Sequence, residues 1–438
     1  MKPAAYLLLL ALSLGPAAGC HTAAPATAAR PAARTLAARP RPLPGLDQLL
    51  QEYVSTERVP GAIALVAQDG RIIYRKAFGY DDVAAKTPLR PDAIFRIASQ
   101  TKAVASAGLM LLYDEGKFQL DDPVSQYLPA FAHPQVLASF NPQDSSYTTV
   151  PAKSEITIRQ LLTHTSGLGY PVIGSKEARA IYAKAGIPSG IGTPGGLLAT
   201  SMDQLGRLPL LHQPGEQFTY GLSVDVVGRL IEVLSGQPLD QFLRRRLFEP
   251  LNMRDTYFYL PADRHNRLAR LYTEDPQSKK LVPVPPAGGV MGPMMPDYPR
   301  QAGTYFSGGA GLSSTIDDYA IFLQMLLNGG EYGGRRLLQP ATVRLMTSNQ
   351  MGALEQGGNK FGLGFSIMTA ANAEKSGLSE GSYEWGGIFG TTYWVDPTRK
   401  VVALLYTQKY PNTTARDLPA KFKQQVRAAV TSPAPAAN

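Results

Sequence analysis

A serine and a lysine three residues apart give the first indication of chemistry in this chain of 438 residues. Ser99 and Lys102 lie in the segment Phe-Arg-Ile-Ala-Ser-Gln-Thr-Lys, the only place where a lysine follows a serine at this distance. On a helix the two side chains share one face. A serine hydroxyl is a weak nucleophile, and a lysine amine that burial keeps partly neutral takes its proton. The pair is therefore a minimal serine hydrolase, although an isolated match also arises by chance.

His164 stands in the most distinctive setting of the five histidines, in Leu-Leu-Thr-His-Thr-Ser-Gly-Leu. It could be the base of a triad with Ser166, or a buried structural histidine ahead of a turn at Gly167. No partner pattern supports the triad, which favours the structural role. The chain has no His-Glu-x-x-His, and its single cysteine, Cys20, excludes a thiolate zinc site in the folded part. We expect neither a metal nor an organic cofactor.

The residues after Ser99 predict the helix that carries the pair. The run 103–113 is apolar and rich in good helix formers, and Gly116 stands where a helix end is expected. Such a helix would bury Lys102 beside Ser99. A lysine amine in an apolar surrounding loses its proton more easily than one in water.

The rest of the pattern predicts one antiparallel sheet covered by helices from both ends of the folded part. Strand-like runs lie near those ends and helical runs lie between them, which is typical of an α+β fold. The predicted strands are 62–67 and 72–74, joined by an Asp-Gly turn, and 383–394 and 401–407. The predicted terminal helices are 46–54 and one with Leu418, Phe422, Val426 and Ala429 on a single face. A site would lie in the cleft between the sheet and the helical part.

The first residues predict export. Residues 1–20 combine Lys2, an apolar run and small residues ending in Ala-Ala-Gly-Cys20, which resembles a signal peptide with a bacterial lipobox. We expect lipidation of Cys20, with plain signal cleavage as the alternative. The protein would then face the periplasm as a membrane-anchored lipoprotein of the bacterial cell envelope.

Residues 21–44 predict a disordered tether, because they are almost all Ala, Pro, Arg and Thr and include no acidic residue. The folded domain is expected over 45–432, with a helical subdomain at about 101–300. Five of the nine nominal positive charges belong to the leader and the tether: Lys2, Arg30, Arg34, Arg39 and Arg41. This placement suggests an anionic membrane or wall surface nearby, and no motif suggests a nucleic-acid partner.

Four motifs that occur in order are similar to those of one enzyme superfamily. They are residues 95–102, residues 161–168, the segment Ser-Gly-Gly-Ala-Gly-Leu-Ser-Ser at 307–314, and Trp-Gly-Gly at 385–387. Together they resemble the serine hydrolases of the class C β-lactamase and penicillin-binding-protein superfamily, and most closely its family VIII carboxylesterases. The similarity runs from about residue 46 to 430 and implies a β-lactamase/transpeptidase-like α+β fold.

The resemblance also implies roles for individual residues. Ser99 would be the acylated nucleophile and Lys102 the lysine that shares in removing its proton. Tyr220, in Phe-Thr-Tyr-Gly-Leu, would be a second base that relays a proton to the leaving group. The segment Trp385-Gly386-Gly387 falls where β-lactamases carry Lys-Thr-Gly, and the backbone amides of Ser99 and Ile388 would form the oxyanion hole.

Two departures from the superfamily pattern bear on the substrate. Leu222 stands where an asparagine would hold an amide, and Trp385 stands where a lysine would attract a carboxylate. Each lost polar contact costs on the order of 1 to 3 kcal/mol. A pocket of this kind suits a neutral ester better than a peptide or a β-lactam. Four residues could line the pocket or simply pack within their own loop, and both remain open: Met291, Met294, Met295 and Tyr298.

These observations predict an exported serine hydrolase that cleaves or transfers acyl groups of small esters through an acyl-enzyme on Ser99. Small amides are further possible substrates. One alternative is a D-alanyl peptidase or β-lactamase acting on peptidoglycan-like substrates, for which a cation near Trp385 would speak; Lys400 and Lys409 are remote candidates. The alternative of another class is a non-catalytic envelope binding protein.

Overall fold

The structure is a computed structural model that describes residues 35–285 and 295–431. The predicted signal peptide with Cys20, most of the predicted tether, and Met291 and Met294 lie outside these ranges. In the part that is described, no helix is both long and apolar enough to cross a membrane.

A nine-stranded sheet forms the centre of the fold, in the order β1-β3-β2-β17-β16-β15-β14-β13, with β4 paired to β3. Its pairs are antiparallel except for β1 with β3. The other strands form two-stranded sheets. The strands are β1 (Ala37–Ala38), β2 (Gly61–Gln68), β3 (Arg71–Asp82), β4 (Thr87–Pro88), β5 (Phe95–Arg96), β6 (Gln135–Phe140), β7 (Tyr147–Pro151), β8 (Tyr272–Glu274), β9 (Leu281–Pro283), β10 (Ser313–Ser314), β11 (Glu331–Tyr332), β12 (Arg335–Arg336), β13 (Lys360–Phe361), β14 (Ser366–Ile367), β15 (Tyr383–Gly387), β16 (Thr391–Asp396) and β17 (Val401–Tyr406).

Helices pack on both faces of this sheet and also form the helical part beside it. They are α1 (Pro44–Ser55), α2 (Thr101–Asp114), α3 (Ile158–Leu162), α4 (Lys176–Lys184), α5 (Leu198–Leu205), α6 (Ser223–Ser235), α7 (Leu239–Leu243), α8 (Glu249–Leu251), α9 (Ile316–Leu327), α10 (Pro340–Met346), α11 (Ala370–Ser376) and α12 (Asp417–Thr431). The predicted helix after Ser99 is α2, and the predicted terminal helices are α1 and α12.

Strand β17 shows why the sheet is buried on both sides. Leu404 and Tyr406 pack in the core that includes α2, α6 and α9, whereas Ala403 and Leu405 pack in the core under α1 and α12. Alternate residues of a strand point to opposite faces, so one strand contributes to both cores. The prediction of an α+β fold with terminal helices over one sheet is confirmed.

The end of the predicted tether is not solvated as expected. The amides of Ala37, Arg39 and Arg41 donate to carbonyls of residues 70, 72 and 73, so this segment runs parallel to β3. Leu43 is buried in the core under α1 and α12. The absence of acidic residues suggested a free chain, but backbone pairing needs no particular side chain, and composition could not reveal it.

Two further predictions about strands were wrong. Residues 383–394 are not one strand, because a turn between Gly387 and Thr391 divides them into β15 and β16. The part predicted to be helical also contains an exposed hairpin, β6 and β7. The hairpin of β2 and β3 turns at Asp69 and Gly70, both with positive φ, as the Asp-Gly pair predicted.

Candidate active site

Ser99 lies in a short 3₁₀ turn, Ala98–Gln100, directly before α2. Ala98 has a φ of 42°, a left-handed conformation that costs a non-glycine residue about 1 to 3 kcal/mol. The surrounding packing maintains this turn, since Ile97 and Ala98 are fully buried. Ser99 is partly exposed between buried neighbours, so its side chain is reachable from solvent while its backbone is fixed.

Lys102 is buried one turn further on, with 2% of its surface exposed. Its Nζ donates to Tyr170 Oη at 2.9 Å and to the carbonyl oxygen of Gly309 at 2.7 Å. It also lies 4.7 Å from the ring centroid of Tyr220. In its neutral form a lysine amine has two hydrogens and one lone pair, so these two donated bonds leave the lone pair to take a proton from a reacting group. No hydrogen bond joins Ser99 Oγ to Lys102 or Tyr220 in this structure; such bonds often form only when substrate is bound.

Tyr220 is held in an aromatic cluster. Its ring packs on His164 with centroids 4.8 Å apart, on Tyr170 at 5.6 Å and on Trp385 at 5.4 Å. The indole Nε1 of Trp385 donates to Tyr220 Oη at 3.4 Å. The cluster brings two predicted site residues, Tyr220 and Trp385, against each other, and Tyr220 also lies against Lys102.

His164 is fully buried behind Tyr220, and burial together with the charge of Lys102 lowers its pKa well below the usual range. The imidazole is therefore neutral. The hydroxyl of Ser166 bonds to that of Ser223 and makes no hydrogen bond with His164. His164 is buried, as a structural histidine would be, and no hydrogen bond joins it to Ser166 as a triad would require.

Tyr170 is a residue that the sequence reasoning missed. It is almost fully buried, and burial with its neighbours Tyr220 and Asp225 raises its pKa well above the usual range, which keeps the phenol neutral. It lies 68 residues from Lys102 in the chain, so no local spacing linked the two.

Strand β15 runs beside the 3₁₀ turn of Ser99. At Gly387 a Cβ atom would lie 2.4 Å from the carbonyl oxygen of Ile97, so only glycine permits this approach. Ile388 follows in the turn, and its amide donates to no backbone carbonyl in the described ranges. A free amide next to the Ser99 turn is what an oxyanion hole needs.

Two cavities flank the aromatic cluster. One, of about 470 Å³, runs along Trp385, Gly386 and Gly387 and reaches Lys423. The other, of about 540 Å³, is lined by Tyr170 and Tyr220 together with apolar side chains such as Ile173 and Leu211, with Glu177 as its charged residue. Both volumes lie in the range typical of small-molecule sites.

The cations considered near Trp385 lie elsewhere. Lys409 is buried in an ion pair with Glu274, and Lys400 lies at the turn after β16, 3.7 Å from Asp69. Lys423 lines the cavity beside Trp385, but its ammonium is paired with Glu384.

Leu222 does not have the position expected of a substrate contact. It is fully buried at the N-terminus of α6, inside the main core. The residue type at this position supplies core packing and offers no surface to a ligand. Tyr298 is also buried, whereas Met295 is partly exposed, and neither lines the two cavities.

A second serine pattern was overlooked in the sequence. Residues 377–381 read Gly-Leu-Ser-Glu-Gly, the form of an α/β-hydrolase nucleophile, which belongs on a turn from a strand into a helix. Here the segment leads from α11 into β15, and Ser379 Oγ donates to Asp396 at 2.8 Å. Ser379 therefore stabilises a loop and is not a nucleophile.

Comparisons with known proteins show the family and the fold of the chain. The family model described as Beta-lactamase matches residues 46–427. Esterase EstB of Burkholderia gladioli is 31% identical over 383 residues, which cover 86% of this chain and 91% of that protein. The solved structure of EstCE1, a hydrolase with promiscuous acyltransferase activity, superposes with a TM-score of 0.74 at 27% identity and covers 87% of this chain and 97% of its own. A putative D-alanyl-D-alanine carboxypeptidase of Escherichia coli K12 is 26% identical, over 85% of this chain and 83% of that protein.

Proposed function

The chain belongs to the β-lactamase family of serine hydrolases, and from that premise we propose that it cleaves or transfers acyl groups of small esters through an acyl-enzyme on Ser99. The family and the fold are those that the sequence motifs predicted. The observation that carries the proposal is the environment of Lys102, an amine buried among two tyrosines and one carbonyl, one helical turn after a partly exposed serine.

In the proposed reaction Ser99 Oγ attacks the ester carbonyl while its proton passes to Lys102 or Tyr220. The amides of Ser99 and Ile388 stabilise the oxyanion. Tyr220 then returns a proton to the leaving alcohol, and the C–O bond breaks. Water, or an acceptor alcohol or amine, attacks the acyl-enzyme and releases Ser99 by the reverse proton transfers.

The side chains that line the two cavities beside the aromatic cluster support one substrate class, although Ser99 itself lines neither cavity. The cavity beside Tyr170 and Tyr220 has apolar walls and one carboxylate, Glu177, so an anionic group would be repelled there. The cation of the other cavity, Lys423, is neutralised by Glu384. Both features support neutral esters, in line with the esterase and acyltransferase relatives.

The direct test compares a short-chain p-nitrophenyl ester with a chromogenic cephalosporin, with Ser99→Ala as the blank. We expect ester turnover that the variant abolishes, and no turnover of the cephalosporin. Hydrolysis of the cephalosporin, or its stable attachment to the protein, would favour the second candidate, a peptidase or β-lactamase, which the carboxypeptidase relative supports.

A separate experiment tests whether the alcohol part of the ester binds in the cavity beside Tyr220. Ile173→Trp would fill part of the cavity beside Tyr220. We expect it to reduce turnover of esters of bulky alcohols much more than turnover of a methyl ester, measured as kcat/KM across a series. An equal loss of kcat/KM for esters of all alcohols would show that the alcohol group does not bind in this cavity.

We further propose that the protein is exported and held at the cell envelope by a lipid on Cys20. The support is the leader sequence, with Lys2, an apolar run and Ala-Ala-Gly before the cysteine. Labelling with a palmitate analogue in a bacterial host should give a signal that Cys20→Ala removes. Label that persists in the variant, or no label in either protein, would refute the anchor.

A further inference from the structure

A buried carboxylate lies close to Lys102. Asp225 is the third residue of α6 and has no exposed surface. Its Oδ1 accepts a hydrogen bond from Ser307 Oγ at 2.6 Å, and the backbone amide of Gly309 also interacts with the carboxylate, although Oδ2 has no hydrogen bond of normal geometry within the described residues. A buried carboxylate with incomplete partners destabilises a fold, and such groups concentrate at functional sites.

A chain of hydrogen bonds connects this carboxylate to the lysine. Ser307 Oγ donates to Asp225 and accepts from the amide of Ala310 at 3.0 Å. That amide belongs to the same peptide group as the carbonyl of Gly309, which accepts from Lys102 Nζ at 2.7 Å. Successive hydrogen bonds polarise one another, so the charge of Asp225 strengthens the acceptor that holds Lys102.

Gly309 must be a glycine, because the carboxylate of Asp225 leaves no room for a side chain there. A Cβ atom at Gly309 would lie 2.3 Å from Asp225 Oδ2. The segment around Ser307 therefore packs directly on Asp225. The segment Ser-Gly-Gly at 307–309, whose role was not evident from its residue types, links the carboxylate to the lysine.

The other titratable groups near Asp225 and Lys102 are three tyrosines and one histidine. They are Tyr170 after α3, Tyr220 before α6, His164 behind Tyr220, and Tyr305 beside Asp225. Burial raises the pKa of Tyr170 and of Tyr305 and lowers that of His164. Burial also raises the pKa of Asp225, while the bond from Ser307 and the charge of Lys102 lower it. Asp225 is the only carboxylate in this set.

We propose that Asp225 is a positioning residue that fixes the place and the protonation of Lys102 through Ser307 and the Gly309–Ala310 peptide. The inference rests on the proposed function, because it assigns Lys102 to proton transfer at Ser99. The charge of Asp225 attracts the amine end of Lys102 and helps to hold it against the Gly309 carbonyl. Without it, the lysine loses its proton more easily and its acceptor is less well oriented.

The test follows the rate at which a fluorophosphonate labels Ser99 from pH 5 to pH 10, a readout that needs no knowledge of the natural substrate. Asp225→Asn keeps the shape and removes the charge; Ser307→Ala keeps the charge and breaks the chain. We expect Asp225→Asn to move the pH profile to lower pH by about one unit and to reduce the rate about tenfold. Ser307→Ala should reduce the rate with a smaller shift.

Asp318→Asn is the matched control, because Asp318 is also a buried carboxylate, which accepts from Thr256 and the amide of Asp255. It should lower the melting temperature and leave the pH profile unchanged. An unshifted profile in folded Asp225→Asn, or an equal shift in Asp318→Asn, would overturn the inference. If Asp225→Asn does not fold, a wild-type rate in Ser307→Ala overturns it. Absence of labelling in the wild type would instead contradict the proposed function.

Discussion

At the scale of single residues, the site consists of one nucleophile and a lysine whose surroundings come from distant parts of the chain. Ser99 and Lys102 are close in sequence, so their pairing could be predicted. The groups that hold Lys102, Tyr170 and Gly309, lie 68 and 207 residues away. No spacing rule connects them, which is why the sequence revealed the pair but not its partners.

The residue whose role is most directly testable is Tyr220. Tyr220→Phe keeps the ring that packs on His164 and Trp385 but removes the hydroxyl that would carry a proton. We expect kcat for ester turnover to fall by about 10² to 10⁴-fold with an unchanged melting temperature. As control, Trp385→Phe removes the indole donor to Tyr220 and should cost less than tenfold. Turnover by Tyr220→Phe at the wild-type rate would exclude the phenol from proton transfer.

At the scale of secondary structure, the site depends on how closely β15 approaches the turn before α2. The sequence predicted both elements, but it placed one strand over 383–394 and so missed the turn that presents the Ile388 amide. Gly390, with a φ of 96°, was the available signal for that turn. Gly387 is the residue at which the strand backbone approaches the turn before α2 most closely.

The approach can be tested by adding one methyl group. Gly387→Ala would put a Cβ atom 2.4 Å from the Ile97 carbonyl and push β15 away from Ser99, whereas at Gly386 the nearest atom is 3.1 Å away. We expect Gly387→Ala to lose at least 10²-fold in kcat/KM, the order found when an oxyanion donor is removed. Gly386→Ala should lose much less. Similar losses of kcat/KM in both variants would show that activity does not depend on the close approach of β15 to the Ser99 turn.

The contact between the two terminal helices makes a prediction about pH. The hydroxyl of Tyr53 on α1, with Arg58, holds the pKa of Asp417 on α12 down to about 2. A carboxylate whose pKa is lower in the folded than in the unfolded protein stabilises the fold above its unfolded pKa, and this contribution is lost as pH falls toward the folded pKa. Asp417→Asn should therefore lower the melting temperature at pH 7, and the difference should shrink between pH 4 and pH 2. A difference that stays constant over this range would contradict the assignment; because the pair is partly exposed, we expect the effect to be modest.

For the molecule as a whole, the layered α+β fold was predictable because the spacing of apolar residues indicates the strands of the sheet and the terminal helices. What could not be predicted involves backbone pairing or packing between distant segments. Residues 37–41 form backbone hydrogen bonds with the strand β3 although their composition is that of a linker, and the hairpin of β6 and β7 is mostly exposed. The role of Leu222 was also not predictable. Its residue type suggested a change in the substrate pocket, but the side chain is fully buried in the core.

The docked segment before α1 should contribute to stability. A chain that begins at residue 45 lacks three backbone hydrogen bonds to β3 and the buried side chain of Leu43, both of which a chain beginning at residue 35 retains. Net contributions of about 1 kcal/mol for each hydrogen bond give a loss on the order of 3 kcal/mol, to which the lost burial adds. Denaturant unfolding of the two chains measures it. Equal stability would mean that the segment is not docked in solution.

The proposed mechanism requires a covalent acyl-enzyme on Ser99, and trapping this intermediate tests the mechanism directly. The protein is mixed with an excess of a slowly hydrolysed p-nitrophenyl ester, quenched within seconds and examined by intact and peptide mass spectrometry. We expect one added acyl group on the peptide that carries Ser99, and no such group in Ser99→Ala. Acylation of another residue, or turnover that persists in Ser99→Ala at the wild-type rate, would contradict it.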